Sequence, residues 1–142
     1  MFAAKKLNTL VTLLAVCFGG ASAQDSCART YIVSSGDTCD KISASQNVST
    51  FQLATVNEAI IDTACDNLAI GEVLCLGITG QDCSDVHIVA SGDSCDLVSE
   101  AAGIPLSTLL INNPNVNSDC TSIDVGEVLC TSSTIFVNGT SS

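Results

Sequence analysis

Apolar and polar positions along this chain fall into short runs, and the same succession of runs is written twice. Thr30-Tyr31-Ile32-Val33 is β-branched and aromatic and halts at Ser35-Gly36, which predicts a short strand. Asp37-Thr38 then offers a helix N-cap, with Asp40 three places beyond Asp37 in the manner of a capping box, and the helix is expected to run to about Asn47. A second helix is expected from Ser49-Thr50, carrying Phe51, Leu53, Ala54 and Val56, to about Asn57; after a turn at Gly71, Glu72 to Leu76 reads as a closing strand. The second succession places strands at Val86 to Val89 and Glu127 to Thr131, and helices at Ser94 to Ala102 and Leu106 to Asn112. Pro105 fits a first helical turn and Pro114 the stretch just past a helix end, both places that tolerate proline.

The residues repeat as well as the pattern. Ser35-Gly36-Asp37-Thr38-Cys39 returns as Ser91-Gly92-Asp93-Ser94-Cys95, Ile32-Val33 as Ile88-Val89, and Leu53 with Asn57 as Leu109 with Asn113. Past one deleted residue, Gly71-Glu72-Val73-Leu74-Cys75 returns as Gly126-Glu127-Val128-Leu129-Cys130. Self-similarity at a fixed period means tandem modules. A strand at each end with helices between predicts an α+β fold: an antiparallel strand pair with the helices on one face. The candidate core is Ile32, Ile42, Leu53, Leu68 and Leu74, with Ile88, Val98, Leu109, Ile123 and Leu129 in the partner, although strand alternation allows Tyr31 and Val33 to be buried instead of Ile32.

Cysteine usage adds the compartment. Lys5-Lys6, the apolar run Leu7 to Phe18 and the small residues Ala21-Ser22-Ala23 make residues 1–23 a secretory signal peptide rather than a membrane span. Beyond them stand two matching quartets, Cys27, Cys39, Cys65, Cys75 and Cys83, Cys95, Cys120, Cys130, which read as two disulfides per module; the spacing leaves all three pairings open. A metal site is the rival, but CxxC pairs are missing and His87 is the one histidine. Modules of 48 or 49 residues between outer cysteines need such staples, because a core that small rarely holds a fold unaided. The boundaries drawn are 27–76 and 83–131 for the modules, 77–82 for a close but flexible linker, and 132–142 for a flexible Ser/Thr-rich tail.

Charge narrows the partners. Without residues 1–23, Arg29 and Lys41 face all fifteen carboxylates. Such a chain repels phosphate backbones and anionic lipid, which argues against nucleic acid and membrane partners. Catalysis also has little to work with. Asp37, Asp40, Asp93 and Asp96 read as helix caps rather than glycosidase carboxylates, and His87 stands on a strand at the Tyr31 position as a half-buried spacer. Asn47-Val48-Ser49 and Asn138-Gly139-Thr140 are N-glycosylation sequons, at Asn47 and Asn138.

The run Tyr31-Ile32-Val33-Ser34-Ser35-Gly36-Asp37-Thr38, then Leu53-x-x-x-Asn57, then Leu68-x-x-Gly71-x-x-Leu74, resembles the lysin motif, LysM, and the four-cysteine form resembles the fungal secreted LysM effectors. Departures are His87 for the tyrosine, Glu58 for a proline that Pro114 retains, and Ser94 for threonine. The resemblance implies βααβ modules that bind chitin and other N-acetylglucosamine oligomers between the loop after the first strand and the loop after the second helix. Carried over by position, the binding residues are Gly36, Asp37, Thr38, Asn57, Ala59 and Ile60, and Gly92, Asp93, Ser94, Asn113, Asn115 and Val116. The expected protein is secreted to the apoplast or the fungal wall, is not an enzyme, needs no cofactor, and self-associates when a long ligand bridges two copies. It sequesters chitin fragments from host recognition or shields the wall. The rival expectation is a disulfide-stapled interaction protein that binds no sugar.

Overall fold

A computed structural model describes residues 26–137; the signal peptide expected at residues 1–23 and the sequon at Asn138 lie outside them. Each module is built strand, helix, helix, strand: β1 (Cys27–Ile32), α1 (Cys39–Gln46), α2 (Thr50–Val56) and β2 (Val73–Ile78), then β3 (Val86–Ile88), α3 (Cys95–Ala102), α4 (Leu106–Asn112) and β4 (Val128–Cys130). The strands form two separate antiparallel pairs, β1 with β2 and β3 with β4. Tyr31 stands opposite Leu74 and, at the same place in the second pair, His87 stands opposite Leu129. This is the α+β arrangement the repeat predicts.

The disulfides nest. Cys27 joins Cys75 and Cys39 joins Cys65; Cys83 joins Cys130 and Cys95 joins Cys120. The outer bridge of each module ties the first strand to the last, and the inner one ties the start of the first helix to the long loop before the closing strand. β1 starts at Cys27, three residues before the expected Thr30, because pairing with β2 continues past an irregularity to Cys27 opposite Ile78.

Each module buries its own core, Val33, Ile42, Val48, Leu53, Leu74 and Leu76 among others in the first, and Val89, Val98, Ile104, Leu109 and Leu129 in the second. Leu68 and Ile123 are partly buried against these clusters. Ile32 and Ile88 correct the expectation: they are 61% and 48% exposed, while Val33 and Val89 are buried at 3% each. A strand's alternate side chains point to opposite faces, and helices cover only one face of this pair. The capping box is corrected too. Thr38 and Ser94 cap the helices, accepting from the backbone N–H of Lys41 and Leu97 at 3.3 Å each, and the Asp40 carboxylate instead accepts from the Thr50 hydroxyl.

The connection between modules is not a free tether. β2 runs on to Ile78, a turn brings Gln81 back onto Ile78, and Asp82 is gripped by Arg29 through two bonds of 2.7 Å. The Gln52 amide, itself buried, donates to Leu76 O and the Asp82 carboxylate and accepts from the Cys83 N–H. Gly77 must be glycine there: a Cβ would stand 2.3 Å from Asp82 Oδ1. The tail is held as far as the structure describes it, since the Asn112 amide donates to Ser132 O and Thr134 O and accepts from the Phe136 N–H. The modules touch directly, α1 and α2 lying against β4, where the Val128 N–H donates to Thr50 Oγ1 at 3.0 Å.

Candidate functional site

The loop after the first strand is a turn locked by its aspartate. Gly36 and Gly92 take left-handed backbone, φ +84° and +89°, which only glycine adopts without strain. One oxygen of Asp37 accepts from the Ser34 N–H at 2.7 Å and from the Tyr31 hydroxyl at 2.8 Å. In the second module Asp93 accepts from the Ala90 N–H at 2.8 Å and meets His87 Nε2 at 2.7 Å. His87 is therefore the counterpart of the tyrosine hydroxyl rather than a spacer. The consequences are electrostatic: bonding to Asp37 raises the Tyr31 phenol above its usual range, whereas His87 first, and then the Ala90 N–H, hold the Asp93 carboxyl below the usual carboxylate range.

The loop after the second helix hangs from a buried asparagine. Asn57, 2% exposed, donates to Leu53 O and Cys75 O and accepts from the Cys75 N–H. Asn113, 1% exposed, repeats those three bonds with Leu109 and Cys130. Every polar atom of both amides is spent on the backbone, so these two shape the loop from beneath. A further turn follows, in which Asp62 accepts from the Asp66 N–H and the Asn67 amide accepts from the Asp62 N–H. A side-chain hydrogen bond with Asp62, and after it the like charge of that carboxylate, raises the Asp66 carboxyl. Asn117 and Thr121 make the corresponding turn in the second module.

That turn locates the deleted residue. Cys65 N–H donates to Asp62 O as Cys120 N–H does to Asn117 O, so Asp62 matches Asn117 and Ile61 matches Val116. The first module carries one extra residue inside the candidate loop, between Asn57 and Ile61. Val116, expected to meet the sugar, is buried at 6% in the core, as Ile61 is at 4%; Ile60 is 37% exposed and has no positional twin. Ala59 and Asn115 are exposed.

The inner disulfides hold the two loops together, with Cα separations of 6.1 Å for Cys39–Cys65 and 5.9 Å for Cys95–Cys120. Beside the first lies a cleft of about 500 Å³, lined by Thr38, Cys39, Asp40, Thr50, Thr63, Ala64 and Cys65 from one module and Asn115, Ser122, Asp124 and Glu127 from the other. Of the residues expected from sequence, Thr38 and Asn115 meet there, across the module boundary. Thr63, Ala64, Ser122 and Glu127 were not expected; a known Cys39–Cys65 pairing would have pointed to the first two. Glu127 is 9% exposed, receives the Asn115 amide and the Asp124 N–H, and burial raises its carboxyl, with Asp124 and Asp40 adding smaller pushes the same way. A larger hollow of about 720 Å³ opens between α2 and α4, lined mostly by apolar side chains such as Phe51, Val56, Leu110, Ile111 and Phe136, and none of the expected sugar residues lines it.

Two small βααβ modules, each closed by nested disulfides and each presenting a stapled pair of loops, define the class of protein. The LysM domain profile matches residues 31–77 and 87–132. The chain belongs to the LysM domain family. A secreted LysM effector, LysM2 of Penicillium expansum, is 33% identical over 82% of this chain and 37% of its own length; another, LysM1 of Trichophyton rubrum, is 28% identical over 73% and 50%. A relative from Gibberella moniliformis, 33% identical, is named a non-secreted LysM effector. The chain thus spans about a third to a half of the first two relatives it matches. Among solved structures, the spore cortex-lytic enzyme SleL of Bacillus megaterium aligns at a TM-score of 0.37 and 18% identity, over 71% of this chain and 21% of that one. No helix among the described residues is long and apolar enough to cross a membrane.

Proposed function

We propose that this is a secreted, non-enzymatic protein that binds N-acetylglucosamine oligomers, chitin above all, at the stapled loop pair of each module. The observation that carries the reading is the cleft beside Cys39–Cys65, shared between the modules, where Thr38 and Thr63 set neutral hydroxyls against the small apolar Ala64 and Asn115 faces them from the second module. A neutral acetamido sugar asks for hydrogen-bonding groups and an apolar spot for its methyl, without a charge match. Carboxylates at the rim, Asp40 and Asp124, accept from sugar hydroxyls. Gly36 and Gly92 let the backbone approach closely, Asp37 and Asp93 hold the turns, Ser94 and Asn115 offer polar groups in the second module, and exposed Ala59 and Ile60 flank the first.

Because Arg29, Gln52 and Asp82 lock the linker, the two loop pairs stand at a fixed separation, so a second loop pair engages a held oligomer at high effective concentration. A ligand too long for one molecule bridges two. The effector names of the relatives and the leader-like residues 1–23 favour secretion and a role in withholding chitin fragments from a host or coating the fungal wall. Asn47 is exposed at a helix end, where a glycan has room.

Isothermal titration of the mature chain with chitin tetramer to octamer tests the reading. Heat is expected, together with retention on insoluble chitin that soluble oligomers compete away, and Ala64→Glu, at an exposed position, should abolish binding by the first module. No heat with any oligomer and no retention would overturn it in favour of a stapled interaction protein.

A further inference from the structure

We propose that the molecule docks head to tail on a second copy of itself, the β1–β2 edge of one chain seating the α3–α4 face of the next. The contact is one the chain already makes internally. Helices α1 and α2 of the first module lie against strand β4 of the second, with Thr50 Oγ1 taking the Val128 N–H, and Val128 is 1% exposed as a result. A helix face meets a strand edge there, which is a heterologous contact: each module owns both surfaces, and two modules in a row use one of each. One edge and one face are left over.

The leftover surfaces are apolar. Val73 is 45% exposed where its counterpart Val128 is 1% exposed; its cross-strand partner Ile32 is 61% exposed, but Ile88 beside Val128 is still 48% exposed, so Val73 carries the difference between the edges. Ile70 and its counterpart Val125 are exposed alike, at 72% and 71%, so they do not distinguish the free edge from the covered one. On the free face Leu97, 54% exposed, stands where Lys41 stands, while Leu106, at the Thr50 position, is partly buried against its own module's core. Terminal units of repeat arrays ordinarily turn polar on their outer faces. Here the outer helix face is more apolar than the inner one, and it fits an edge whose Val and Ile lack cover. Repeating the internal contact between chains would also bring Asp96 to Glu72 as Asp40 comes to Glu127, a like-charge approach within a strongly acidic chain, so salt should strengthen the association. Sugar plays no part in it.

Sedimentation velocity of the mature chain in sugar-free buffer tests this, over about 10 μM to about 1 mM protein and from low to about 0.5 M salt, a range that reaches weak interfaces. The weight-average mass should at least double across the series and rise with salt. Val73→Asp blocks the edge and Leu97→Asp the face, both at exposed positions, and each variant alone should stay monomeric. Mixed, they should form a one-to-one dimer that grows no further, because one supplies a free edge and the other a free face. A wild-type chain monomeric throughout, a variant that associates like wild type, or a mixture that stays monomeric while wild type associates would each overturn the proposal.

Discussion

Asn57 and Asn113 offer the sharpest way to separate scaffold from ligand contact. Replacing Asn57 by alanine removes three hydrogen bonds at once, two of them to Cys75, a residue 7% exposed. The Cys75 N–H and C=O are then left without partners in the interior, at about 1 to 3 kcal/mol each. Taking the lower half of that range gives about 3 kcal/mol, and at about 4 to 8 °C per kcal/mol for a small domain the midpoint should fall by roughly 12 to 24 °C. Asn113→Ala should cost the same in the second module, since Leu109 and Cys130 repeat the geometry. Asn57→Asp adds a sign. Its carboxylate can still accept from the Cys75 N–H, but its other oxygen faces two carbonyl oxygens, so the folded state should raise its pKa above the ordinary value of about 3.9. The penalty should be full above that raised pKa and shrink as pH falls through it. Thermal and guanidinium unfolding with disulfides intact, followed across pH, together with hydrogen exchange at the Cys75 amide, measure all of this. If Asn57→Ala leaves unfolding and Cys75 exchange untouched yet weakens oligomer binding, the amide faces the ligand and the reasoning fails.

Gly77→Ala would push a Cβ to within 2.3 Å of Asp82 Oδ1; it should destabilise by about 1 to 3 kcal/mol as overpacking does and loosen the module joint, seen as a larger radius of gyration in solution scattering. The depressed Asp93 carboxyl implies a turn at residues 90–94 that is fully held above the ordinary carboxylate range and released only as pH falls through the lower folded pKa; His87→Ala should move that release to higher pH in a carbon-13 carboxyl titration. Buried Glu127 runs the other way: its raised pKa means that deprotonation strains the cleft, so stability should rise as pH falls through that pKa toward the ordinary glutamate value, and the same titration should find it above the exposed glutamates. Reduction removes loops closed over 48 and 26 residues in the first module, about 4 and about 3.5 kcal/mol in the chain-entropy account, so both modules should lose their circular dichroism signal in excess reductant.

The module was legible in the sequence because it is written twice. Strand, helix, helix and strand fall where periodicity and turn residues put them, and the quartets announced two bridges per unit without choosing a pairing. What failed turned on single-residue choices between chemically similar neighbours. Ile32 and Val33 are both β-branched and apolar, and only the position of the helices decides which one faces in. Asp37 and Thr38 are both good caps; the hydroxyl of Tyr31, folded back from the strand, draws the aspartate into the turn and leaves the cap to threonine. The Tyr31 and His87 exchange was visible as a departure from pattern, and its meaning lay six residues further on at Asp37 and Asp93.

The joint between modules was hidden for the opposite reason. A repeat displays what its copies share, and the residues that fix these copies to one another are those they do not share. Arg29 has Asp85 as its positional twin and Gln52 has Thr108, so neither the clasp on Asp82 nor the bond to Cys83 has an image in the second module. Val56 has Asn112, and that substitution turns an apolar helix position into the buried amide that gathers in residues 132–136. Thr50 has Leu106, a hydroxyl that bonds a neighbouring strand against a side chain that packs on its own module's core. Duplicated residues thus build the fold and its stapled loops, while diverged ones build the contacts between units, and the diverged positions left unmatched at either end are where a partner chain would be sought.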